Sequence, residues 1–160
     1  MLPQTRQSGL TIIEVLVTLS ILTLVLTGVT SSIISSFDVA KSVQNSFVAS
    51  GLAQEGIEIV RNIRDSGFLA GSPALVDGTY RVQWSDRSLS QLAGPLEAEP
   101  TLSQNTSGVI GYSPGKDTGF RRIVMLSGSA VEKTITVTVY WTERSVQKSL
   151  TTSTVFYDWY

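Results

Sequence analysis

Leu10 to Val29 is an unbroken apolar run, LTIIEVLVTLSILTLVLTGV, in which Glu14 is the one ionisable side chain. Twenty helical residues rise about 30 Å, which matches the hydrocarbon thickness of a bilayer. The run therefore predicts a membrane-spanning helix. Ahead of it, Met1 to Gly9 (MLPQTRQSG) is polar and carries one charged side chain, Arg6. A cation on that side places Met1 in the cytoplasm and the remainder outside. A cleaved secretory signal has an apolar core of about 7–15 residues and ends in an A-x-A-like site. This run is longer and continues into Thr30-Ser31-Ser32-Ile33-Ile34. A plain anchor has no use for Glu14, since an acidic group in mid-membrane costs about 2.5–3.5 kcal/mol by insertion scales.

Composition narrows the chemistry. The chain has no Cys and no His. It therefore has no disulfide and no thiolate metal site, and it lacks the commonest general base and transition-metal ligand. The formal net charge of −1 offers no basic field for nucleic acid. Gly115-Lys116 does not form a phosphate loop: Ile110 stands at the first required Gly, and Asp117 follows the Lys. Glu97 and Glu99, in a Pro-rich stretch, are expected to be solvated, and Asp77-Gly78 to be a turn. Asp117 has no dense set of oxygen ligands around it for calcium. Asn105-Thr106-Ser107 is a glycosylation triplet of a kind common by chance. No cofactor, no metal and no enzymatic activity are expected.

Gly9-Leu10-Thr11-Ile12-Ile13-Glu14 at the head of the apolar run resembles the prepilin peptidase motif of type IV pilins and type II secretion pseudopilins. That motif has a short polar leader with a basic residue, then Gly, a hydrophobic residue, Thr, two aliphatics and Glu. Leu10 stands where Phe is more usual. The resemblance implies cleavage between Gly9 and Leu10 by a prepilin peptidase, and methylation of the new Leu10 amine. It also implies that Glu14 meets that amine in an assembled filament. The expected partners are the peptidase, other pilin or pseudopilin subunits packed through the N-terminal helix, an inner-membrane assembly platform and the lipid bilayer. Physics supports the pairing: cleavage puts a cation into the apolar layer, and Glu14 supplies an anion one helical turn away. Gly9 has no Cβ, so the leader can leave the helix there.

Helical spacing continues beyond the span through Phe37, Ala40, Val43, Phe47, Leu52, Gly56, Ile59, Val60 and Ile63, with most charges elsewhere. This predicts an amphipathic continuation packed under a sheet and ending near Ser66-Gly67, with Arg61 and Asp65 paired at i, i+4. No Pro interrupts it, but Thr27 to Ser32 is a run of poor helix formers. Gly28, Ser32 and Ser36 make a small-residue stripe suited to close helix packing.

From Thr79 the period changes to two. Strands are predicted at Tyr80–Trp84, Phe120–Leu126, Thr134–Trp141 and Val146–Phe156, with Thr142–Ser145 as a hairpin loop. Asp86 to Gly119, which holds Pro95, Pro100 and Pro114, is expected to be a long recognition loop whose removal preserves the fold. The expectation is an α+β protein that resembles the pilin-like fold. Its divisions are a leader (1–9), a membrane or filament-core helix (10–29), an amphipathic continuation (30–67) and a β-sheet domain (68–160) with the loop 86–119. The resemblance, with no Cys to close a loop, points to a minor pilin or pseudopilin anchored in a bacterial inner membrane. The alternative is a single-pass anchored β-domain that binds a ligand without assembling; an anchored hydrolase is a distant third.

Overall fold

The computed structural model describes residue 9 and residues 11–71, 75–92, 99–129 and 131–157. Arg6, Leu10 and Glu97 lie outside them. The chain divides into two units, residues 1–43 and 44–160. Helix α1 runs Ile12–Leu69. Strands follow at β1 Gly78–Arg81, β2 Ser90–Gln91, β3 Ser103–Gln104, β4 Ile110–Gly111, β5 Lys116–Asp117, β6 Arg121–Gly128, β7 Glu132–Glu143 and β8 Val146–Tyr157. The layout is α+β: a long N-terminal apolar helix and antiparallel sheets, as expected.

In the first unit every described residue from Thr11 to Phe37 is exposed. Apolar side chains dominate this surface, yet six of its hydroxyls are satisfied within the helix. Thr18, Ser20, Thr23, Thr27, Thr30 and Ser36 each donate to a carbonyl three or four residues back, at 2.8–2.9 Å. That is the requirement a membrane sets for polar groups. The helix is unbroken through Thr27 to Ser32.

The second unit is built on a five-stranded antiparallel sheet in the order β2-β1-β6-β7-β8. Period-two alternation decides its faces. Ile135, Val137, Val139 and Trp141 of β7 are buried, while Thr134, Thr136, Thr138 and Tyr140 lie on the other face. Opposite them β6 brings Leu126, Val124 and Arg122. Ala49, Leu52, Ala53, Ile57, Ile59 and Val60 of α1 join the same core. The outer face is tied by hydroxyl pairs, Thr136–Ser153 and Thr138–Thr151, each at 3.1 Å.

Several expectations need correction. The core-facing stripe begins at Ala49: Phe37, Val43 and Phe47 are exposed, Phe47 at 80%. Phe47 lies nine residues before the buried Gly56, and at about 100° per residue that is half a turn away. Three- to five-residue spacing therefore strung two faces into one. The helix outlasts Ser66-Gly67 and stops where Gly71 adopts φ +66° and donates to the Phe68 carbonyl at 3.1 Å. Arg61 pairs with Glu58 at 2.5 Å and Arg64 with Asp65 at 2.8 Å. Both guanidinium groups lie over the Phe156 ring, which draws Arg61 away from Asp65. The hairpin turn is only Arg144-Ser145, both at positive φ, a twist that suits a two-residue connection.

The stretch 86–119 is not a bare loop. It carries β2 and a second, three-stranded sheet in the order β4-β3-β5. Leu102, between β2 and β4 in sequence, is fully buried in the main core, and Leu89, Ile110 and Tyr112 pack against it. Leu102 donates to the Phe120 carbonyl at 2.7 Å, and its own carbonyl accepts from Thr118 N–H at 3.0 Å. Removing 86–119 would open the core, so that segment belongs to the fold.

Candidate processing and assembly site

Gly9 is exposed and outside any regular element, with nothing within 4 Å of where a Cβ would stand. Thr11 then starts the helix. Its hydroxyl accepts from Glu14 N–H at 3.4 Å, and its carbonyl accepts from Glu14 and Val15 N–H at 3.1 and 3.2 Å. Thr11 is thus the N-cap, and Thr11-x-x-Glu14 has the spacing of a capping box. The signal for this cap, a Thr three residues before a Glu at the head of an apolar run, is legible in the sequence. Glu14 lies in the first turn, where the helix dipole favours a negative charge, and it is exposed. Leu10 lies outside the described residues, so no distance joins its amine to Glu14. The arrangement is an accessible Gly, then a fixed helix start, then a carboxylate one turn in.

The other candidate residues fall into structural roles. Glu99 is half-buried, not solvated: its carboxylate lies 3.5 Å from Arg81, and its carbonyl accepts from Arg121 Nε at 3.0 Å. Arg81 also lies over the Tyr112 ring at 4.9 Å. The Tyr112 hydroxyl donates to the Arg122 carbonyl at 3.2 Å, and burial pushes its pKa up to about 12. Asp77 leads into β1, pairs with Lys133 and accepts from Gly128 N–H at 3.3 Å; these contacts hold its carboxyl below the usual value. Asp117 accepts from Gly119 N–H at 2.8 Å, which lowers its pKa. Asn105 Oδ1 accepts from Ser107 and Val109 N–H, both at 2.9 Å, so the glycosylation triplet forms a turn. Among the described residues no group of three or more acidic side chains is placed to hold a metal ion. Lys116 sits in β5, apart from any helix N-terminus.

By length and composition α1 is able to cross a membrane. Residues 4–30 match the prokaryotic N-terminal methylation motif, the type IV pilin-like prepilin cleavage motif. No curated protein and no solved structure matches the chain.

Proposed function

We propose that this protein is a minor pilin or pseudopilin subunit with a structural, non-enzymatic role, starting from the type IV pilin-like motif over residues 4–30. A prepilin peptidase cuts between Gly9 and Leu10 and the Leu10 amine is methylated. The processed chain waits in a bacterial inner membrane with its sheet-bearing unit outside. An assembly platform then adds it to a type IV pilus or a type II secretion-like pseudopilus, where Glu14 meets the amine of its own or a neighbouring Leu10.

One observation carries the reading: the match to the motif coincides with an apolar stretch of α1, exposed from Thr11 to Phe37, that keeps a carboxylate in its first turn. The lipid bilayer covers such a surface before assembly, and neighbouring helices cover it afterwards. Beyond the span, Phe37 at 72% and Phe47 at 80% exposure extend the apolar surface toward a packing partner.

The test is mass spectrometry of the mature N-terminus. A chain that begins at methylated Leu10 supports the proposal, and Gly9→Val should accumulate as membrane-inserted precursor. An intact N-terminus in mature protein favours the single-pass anchored β-domain instead.

A further inference from the structure

From Ala49 to Val60 the core-facing side of α1 is uniformly apolar, made of Ala49, Leu52, Ala53, Ile57, Ile59 and Val60 around Gly56. Apolar burial is non-directional, so such a face gives the sheet little to distinguish one position along the helix from the next turn. Two features break this uniformity. A Cβ at Gly56 would stand 2.9 Å from Val137 Cγ1 and 3.2 Å from Arg122 Cδ, so β7 and β6 enter a notch that only Gly leaves. The second feature is Arg122, whose side chain is 0% exposed. It donates to the Leu52 carbonyl at 2.9 Å and the Val82 carbonyl at 2.8 Å. Its Nη1 lies 3.3 Å from the Glu55 carboxylate. Its Nε is buried without a partner, so the charge depends on those three contacts.

We propose that Gly56 and Arg122 act together as a register lock, holding α1 at one position along the sheet. The sequence around them rules out the neighbouring positions. A shift that brings the residue three later into each place puts Glu58 at the carboxylate but Ile59 in the notch. A shift of four puts Ile59 and Val60 there. Shifts the other way supply Leu52 with Ala53, or Gly51 with Leu52. Each turn of a helix offers a carbonyl, but only the observed register offers a carboxylate and an empty notch together. Any other leaves a buried guanidinium uncompensated or forces a side chain into Val137, and both are strongly unfavourable. Setting register is a role to which buried ionic groups are suited, more than adding net stability.

The lock stands whether or not the chain enters a filament.

Because the chain has no Cys, cysteines placed at the exposed positions Gln54 and Ser149 take spin labels cleanly. The distance between them is read by pulsed electron resonance on the full chain in lipid nanodiscs. The native protein should show one narrow distance. Arg122→Met combined with Val137→Ala, which removes the charge and opens the notch, should show a second distance population, from chains shifted by one helical turn, about 5 Å along the helix. A folded double variant with the single native distance overturns the lock. If circular dichroism shows that this variant loses its sheet, Glu55→Leu combined with Val137→Ala is measured instead, which leaves the guanidinium without its carboxylate and the notch open; a single native distance there overturns the lock. The reading is independent of processing and of filament incorporation, so its failure and that of the proposed function are told apart.

Discussion

Replacing Leu102 with Ala tests whether the segment 86–119 belongs to the core or decorates it. Leu102 is fully buried, and the backbone on both sides of its peptide unit is bonded to Phe120 and Thr118. Those bonds hold the backbone in place, so the site has little freedom to collapse around a smaller side chain. Leu→Ala at rigid buried sites costs about 2–5 kcal/mol, the loss growing with the cavity that remains; here about 3 kcal/mol is expected. For a unit the size of residues 44–160, unfolding entropy near the midpoint is about 0.25 kcal/mol/K, so Tm should fall by about 12 °C. The assay is thermal and urea unfolding of a fragment from residue 37 to the C-terminus, followed by circular dichroism and Trp fluorescence. Thr106→Ala, on the exposed turn of the same small sheet, is the control and should stay within about 0.5 kcal/mol. A Leu102→Ala loss below about 1 kcal/mol would refute the reasoning and return 86–119 to the status of a removable loop.

Tyr112 should make the fold sensitive to alkali. Its folded pKa of about 12 lies above the ordinary 10.0, so the unfolded chain ionises first, and stability falls as pH rises from about 10 to 12. That loss, on the order of 2 kcal/mol, should be absent from Tyr112→Phe when the two proteins are compared by urea midpoint at each pH. Asp77 acts at the acid end: its lowered pKa contributes stability above about pH 4, the ordinary carboxylate range, and that contribution is lost as pH falls through the folded value. Asp77→Asn should therefore flatten the acid limb of the stability curve, and an unchanged limb would remove the Lys133 contact from the account. Glu14→Gln should insert and be cut normally but incorporate poorly, scored as subunit content of sheared filaments or cross-linked pseudopili; normal incorporation would exclude Glu14 from assembly, and lost cleavage would assign it to peptidase recognition. Phe47→Ser should leave the unfolding free energy within about 0.5 kcal/mol of native, as an exposed position does, while lowering incorporation; a marked loss of stability would show that Phe47 belongs to the core after all.

Local chemistry along the chain was enough to identify the N-terminal segment. The run from Leu10 to Val29 and its lone Glu14 need no distant partner to be recognised, because a membrane sets length and polarity rules that one helix meets by itself. Period-two alternation likewise identified β7 and β8 almost to their ends, since Ile135, Val137, Val139 and Trp141 must share one face of any strand they form. Tertiary contacts decided the rest. Spacing alone could not tell that Phe47 and Leu52 lie on different sides of α1, because both are apolar, and only the position of the sheet distinguishes the buried side from the open one. Nor could it tell that Leu102, inside a stretch rich in Gly, Pro and Ser, is fully buried in a core cluster with α1 and sheet residues distant in sequence. Arg122 is the clearest case. An Arg at the start of a strand looks like a solvated end residue, and its burial follows only from carbonyls at Leu52 and Val82 and a carboxylate at Glu55, 40 to 70 residues away. A charge enters a core only where such partners converge, and that convergence is a property of the folded chain.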